Sequence, residues 1–104
     1  MNQKTRIMSD FFNDLEELCE REDTVQTFMF RIRRIPEFRG LLLKRHTNFS
    51  GETLYDLYRI YYIGGEISTY PHVPSSFITE NEEEAIKWAE GYFNEHFKFK
   101  QHGK

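Results

Sequence analysis

Four histidines, one cysteine and two dense runs of charge are the residues of this chain whose chemistry a protein could use. His46, His72, His96 and His102 would serve as metal ligands or general bases. No two of them stand three or four residues apart, and neither His-x-x-x-His nor Cys-x-x-Cys occurs, so the short spacings of zinc sites are missing. His72 lies in a stiff loop between Pro71 and Pro74 and is the histidine most open to a role. A site built from His46, His72 and a carboxylate would need the fold to gather them in a cleft. His96 falls on an apolar helical stripe, where a hydrogen-bonded imidazole at the core edge is the simpler reading. Glu82, Glu83 and Glu84 are consecutive; on a helix they point about 100° apart and cannot converge on a metal. They suit the positive end of a helix. Glu16 and Glu20 share a helical face but have no His or Asp at ligand spacing. Cys19 also sits on an apolar stripe and reads as a small buried hydrophobe. As the single cysteine it cannot staple the chain to itself, which excludes a disulfide scaffold. Ser50, Ser75 and Ser76 lie in turns without a nucleophile-elbow pattern, and Gly64-Gly65 lacks the lysine and further glycines of a phosphate loop. The sequence therefore points away from an enzyme: no catalytic residue, metal-ligand set or cofactor site is expected.

Binding is what remains, and two features bear on it. The net charge of -3 hides a basic block. Residues 1–23 carry three bases and seven acids, whereas residues 31–46 carry Arg31, Arg33, Arg34, Arg39, Lys44 and Arg45 against Glu37 alone. Arg31, Arg33, Arg34, Lys44 and Arg45 are thus the candidate contacts for nucleic acid. Against that reading, such a block can complement a helix C-terminus and pair with the acidic N-terminal region. The overall acidity also disfavours non-specific duplex binding.

The second feature is the aromatic run Leu54-Tyr-Asp-Leu-Tyr-Arg-Ile-Tyr-Tyr-Ile63. In a strand, Tyr55, Leu57, Tyr61 and Ile63 line one face and Leu54, Tyr58, Ile60 and Tyr62 the other. Neither is a plain solvent face. Such a sheet could stack unpaired bases, but only Arg59 within it is basic, and base-stacking platforms carry more positive charge. Tyrosine is also enriched at protein interfaces. The favoured expectation is a small non-catalytic protein that docks a protein partner as an inhibitor or regulator, with Tyr58, Tyr62, Phe30, Arg31 and Arg34 as the contact residues. A homodimer through that face is a close variant, and a nucleic-acid-binding module is the second choice.

The elements that must hold these residues follow from periodicity. Met8, Phe11, Phe12, Leu15, Leu18 and Cys19 repeat with helical period behind a cap at Ser9 or Asp10. Residues 24–35 are two-sided: Val25, Phe28, Met29, Ile32 and Ile35 continue the helical period, whereas Gln26, Phe28, Phe30 and Ile32 alternate as in a strand. Helix is preferred, either as one long helix to about residue 35 or as a second one broken near Asp23. Leu41 to His46 reads as a short buried strand, Leu54 to Ile63 as the longest one, and Gly64-Gly65 as a two-residue hairpin turn leading to a return strand Glu66–Thr69. Thr79 caps a last helix in which Ala85, Trp88, Ala89, Tyr92, Phe93 and His96 form the inward stripe. The expected class is α+β: an N-terminal helical region, a three-stranded antiparallel meander, and a C-terminal helix packed on the sheet.

At 104 residues this is one domain, 1–104, with flexible ends at 1–7 and 98–104. Its 10 Phe, 6 Tyr and 1 Trp can fill a core without a metal or disulfide, since each buried ring removes roughly 150–250 Å² from water. No run of 18 apolar residues is present, so no membrane span is expected. No apolar segment follows the basic N-terminus, so no signal peptide is expected and the cytoplasm is the expected compartment.

Overall fold

The computed structural model describes residues 3–32, 34–72 and 76–97, the first eight of them by backbone alone. Along the chain run α1 (Gln3–Cys19), β1 (Thr24–Met29), β2 (Phe38–Thr47), β3 (Thr53–Ile63), β4 (Glu66–Pro71), β5 (Phe77–Ile78) and α2 (Glu82–His96). β1 to β4 form an antiparallel sheet in chain order, and β5 adds a short pair to the start of β3. The α+β class and the C-terminal helix on the sheet are as expected. The meander has four strands rather than three, because residues 24–29 pair with β2 instead of extending the first helix. Side-chain chemistry decides this. Thr24, Val25, Thr27 and Phe28 are β-branched or aromatic, and the first helix has already ended at Cys19, with the Leu18 carbonyl accepting from Thr24 Oγ1 at 2.8 Å.

The central strands are buried from both sides. Leu41, Leu42 and Leu43 are consecutive and all fully buried, which only a strand covered on both faces can do. Leu41 and Leu43, with Tyr55 and Leu57 of β3 and Phe28 of β1, meet Ala85, Ala89 and Phe93 of α2. Leu42 and Ile60 meet Leu18 of α1, with Leu15, Met29, Tyr58 and Ile67 around them. The helices thus lie on opposite faces, and the alternation read for Leu54–Ile63 sorts its residues onto the two as expected.

The turns are where local chemistry is strictest. Gly64 and Gly65 have φ of 60° and 81°, the left-handed pair a two-residue hairpin requires, and they set Ile63 opposite Glu66. At the start of α2 the cap is Asn81 rather than Thr79: its Oδ1 accepts from the N–H groups of Glu83 and Glu84. Thr79 instead accepts from Asn81 N at 3.0 Å and donates to Glu84 Oε1 at 2.8 Å. Phe77 and Ile78, just before Thr79, pair with Tyr55 and Leu54. The first helix also begins ahead of Ser9, at Gln3.

Candidate functional site

The residues picked out from the sequence go to three places. Tyr58, Tyr62 and Phe30 are half-buried within the fold's own packing. Tyr58 leans on the Leu18–Leu42–Ile60 cluster with Lys44 Nζ 4.8 Å above its ring. Tyr62 packs edge-on to Phe11, ring centres 5.0 Å apart, and Arg39 lies over both rings. Phe30 sits among Phe38, Phe93 and Phe97. Arg31 and Arg34 are exposed on the connection from β1 to β2, and Arg33 lies outside the described residues. Lys44 and Arg45, next to each other in β2, point to opposite faces. Lys44 pairs with Asp23 at 3.3 Å and Arg45 with Glu82 at 3.0 Å. The fold therefore does not bring Lys44 and Arg45 onto one surface.

The chemically suggestive groups also separate. Asp56 accepts from Ser76 Oγ at 2.6 Å and lies 3.3 Å from His46 Nδ1. That places a Ser, an Asp and a His together, but with the carboxylate in the middle. A catalytic triad needs the imidazole between the acid and the nucleophile, so this trio is not arranged as one; its bonds tie the approach to β5 onto β2 and β3. Cys19 is exposed rather than buried, 4.0 Å from Thr27 Oγ1. It belongs to no metal-ligand cluster among the described residues. A groove of about 270 Å³ between α1 and β4 is lined by Asp14, Glu17, Arg21 and Glu66 around Leu18, Ile67 and Thr69.

The most organised polar structure forms around His72, which was one of the histidines picked out, and Arg59, which was not. His72 is only 6% exposed. Its backbone N–H extends the pairing of β4 by donating to Leu57 O at 2.9 Å, which turns the ring towards α2. Arg59 Nε donates to His72 Nδ1 at 3.0 Å. That nitrogen must then be the bare one, so the ring proton is on Nε2 and is donated to Tyr92 Oη, 2.7 Å away. Arg59 Nη1 also reaches the Tyr61 hydroxyl at 3.4 Å, and its guanidinium carbon lies 5.6 Å from the centre of the Phe38 ring. Burial first, then the positive Arg59 and His96, hold the His72 pKa below its ordinary value.

This gives a signed pH dependence. The unfolded His72 takes its proton near 6.5, whereas the folded one does so only at lower pH. Between those values the unfolded chain binds more protons. The contribution to stability is full above about 6.5, falls as the pH drops through that window, and levels off below the folded pKa. Melting temperature followed from pH 8 to pH 5 should show this slope in the native chain and a flatter profile in His72→Gln. An unchanged slope in the variant would remove His72 as its source.

Arg59 and its ring neighbours stand on an open part of the sheet. α2 packs on β1, β2 and the first half of β3, and among the described residues Ile63 and Tyr70, farther along β3 and on β4, stay exposed. There Tyr61 stacks on Phe38 at 5.1 Å and meets Tyr70 edge-on at 5.6 Å. Tyr70 is 51% exposed, and Ile63 nearby is also well exposed. Tyr70 and Arg59 are cross-strand partners. The sequence carried a signal for this face. Arg59 and Tyr61 are two apart and so share a side, and a two-residue turn at Gly64-Gly65 fixes Tyr70 opposite Arg59 by counting back from Ile63 and Glu66. The face is not apparent from a return strand that ends at Thr69; β4 runs on to Pro71 and so includes Tyr70. No protein-family model, curated protein sequence or solved structure matches this chain.

Proposed function

We propose that this chain is a small non-catalytic binding protein that docks a protein partner through an aromatic face of its sheet and acts on it as an inhibitor or regulator. The observation that carries the reading is the exposure, among the described residues, of Tyr70 and Ile63 on the α2 side beside Tyr61 and Arg59. Tyrosine and arginine dominate the energetic centres of protein interfaces, since each combines contact area with directed hydrogen bonds. On this reading the docking face is the one bearing Tyr61 and Tyr70. Phe30 packs against Phe38 on that side, whereas Tyr58 and Tyr62 pack on the α1 side. The absence of any stretch among the described helices long and apolar enough to cross a membrane is compatible with this role. Nucleic-acid binding through the basic block ranks second, because Lys44 and Arg45 face opposite ways and each already has an acidic partner.

The test is affinity capture from a host lysate divided into nuclease-treated and untreated halves. The native chain should retain one protein at near-fixed stoichiometry in both halves. Tyr70→Ala, whose ring is half in solvent, should weaken that capture about thirtyfold or more, the loss typical of an interface centre. Tyr58→Ala should leave it within a fewfold of the native level. Retention that depends on nucleic acid, or that is untouched by Tyr70→Ala, would sink the reading.

A further inference from the structure

We infer that the docking face receives a carboxylate of the partner, an Asp or Glu side chain, on Arg59; this rests on the docking role proposed above. The argument starts from charge. Arg59 is half-buried, yet the groups it hydrogen-bonds are a neutral imidazole nitrogen and a phenol. Among the described residues no carboxylate lies within ion-pair distance of it, whereas Arg45 and Lys44 on the same sheet each have one. A guanidinium removed from part of its hydration and given no counter-charge is costly to hold in a fold, and an incoming anion removes that cost.

The surroundings fix the donor geometry. Nε is engaged by His72, which leaves the Nη edge, a planar fork suited to bidentate contact with a carboxylate. His72 anchors the guanidinium in turn. It is kept unprotonated, so it does not repel Arg59, and Tyr92 holds its other nitrogen. The Tyr61 oxygen accepts from Nη1, so the Tyr61 O–H points its own proton away from Arg59 and can add a third donor to the same anion. Phe38, Tyr61 and Tyr70 flank the spot with rings, and a partner seated on them would exclude water there, which would strengthen each of these bonds. One guanidinium framed by rings fits a single carboxylate beside an apolar residue. It does not fit a nucleic-acid backbone, which presents a row of phosphates and demands several cations.

The test needs no knowledge of the partner. N-acetylglutamate amide, its glutamine counterpart and inorganic phosphate are titrated separately into the full chain, with the Arg59 Nε–H and the Tyr61 and Tyr70 ring signals followed by NMR. The glutamate probe should shift these signals saturably, and the glutamine probe should bind about tenfold or more weaker, the loss of one charge-assisted pair. Arg59→Gln should abolish the ring shifts. Arg59→Lys, which keeps the charge but not the fork, should leave a weakened response and guards against a folding defect in the first variant. No saturable shift, equal binding of the two amides, or shifts that survive in Arg59→Gln would overturn the inference. So would phosphate binding more tightly than the carboxylate. If Tyr70→Ala abolishes partner capture while the titration is silent, the docking role stands and only the carboxylate assignment falls.

Discussion

Replacing Gly40 with alanine should destabilise this protein sharply. Gly40 stands in β2 where the strand has just passed an irregularity, the register shifting between Phe38 and Gly40. A Cβ there would lie 2.3 Å from the Phe28 carbonyl oxygen and 2.9 Å from Met29 Cα. Both are backbone atoms of the neighbouring strand, so no rotamer change relieves them. The only escape is to part β1 from β2, which would break the bond from Phe30 N to Arg39 O and lift Phe28 out of its contact with Phe93. Overpacking against side chains costs roughly 1–3 kcal/mol, and against fixed backbone the cost should exceed the top of that range. The whole stability of such a domain is about 5–15 kcal/mol. At about 4–8 °C per kcal/mol for a chain near this size, the melting temperature should fall by at least about 12 °C. Gly91→Ala is the matched control, because nothing lies within 4 Å of the added atom. In the middle of α2 it should stabilise, by up to about 1 kcal/mol. Thermal melts of the two variants followed by circular dichroism should move in opposite directions. A Gly40→Ala melt within about 2 °C of the native one would mean that the strands are not held this closely.

The same residue shows why part of the fold was hidden in the sequence. Gly40 lies just ahead of the apolar run that begins at Leu41, and a glycine gives no periodicity. Its purpose is visible only once β1 lies beside it. That β1 is a strand was equally hard to read. Phe28 and Met29 satisfy a helical stripe and a strand alternation at once, and the register slip between Thr24 and Gln26 shifts the alternation where it would have been counted. What was legible came from rigid local rules. The left-handed pair at Gly64-Gly65, the alternation of Leu54–Ile63 and the fully buried run Leu41–Leu43 each allow one structure only. The cap of α2 moved by two residues because Thr79 and Asn81 both have capping chemistry, and the pairing of β5 with β3 settles which is used.

The candidate site was less legible than the fold for a different reason. Counting charges located the basic block, but charge count ignores pairing. Lys44 and Arg45 are neutralised by Asp23 and Glu82, partners 21 and 37 residues away along the chain. Arg59, which lacks a carboxylate among the described residues, looked unremarkable as the lone base in an aromatic strand. Its importance depends on where α2 stops covering the sheet, and that is set by the direction of the helix and not by any residue near Arg59. His72 was noticed for its prolines. Its part as the clamp between Arg59 and Tyr92 needs contacts across 13 and 20 residues, beyond any local pattern.

Leu42→Ala should release α1 from the sheet while α2 stays in place. Leu42 is fully buried and is the centre of the smaller of the two cores, with Leu18 and Ile60 as its buried neighbours. The opposite core joins eight buried residues of α2, β1, β2 and β3. Truncating a buried leucine costs about 2–5 kcal/mol, and the figure rises with the cavity left behind. On the α1 side the cavity would open between Leu18 and Ile60, with Leu15 of the helix beside it and Phe11 farther along on Tyr62. The energy needed to detach α1 should therefore fall more than the energy needed to open the sheet. Hydrogen exchange gives the readout. In Leu42→Ala, amides of α1 should exchange far faster than in the native chain, while those of β2, β3 and α2 keep most of their protection. Leu43→Ala removes the same volume from the neighbouring residue but on the α2 side, against Phe28, Ala85, Ala89 and Phe93. It should lower protection across the sheet and α2 together without singling out α1. If Leu42→Ala instead lowers protection equally in both helices, the two layers form one cooperative unit. The asymmetry of the cores would then have no consequence for stability.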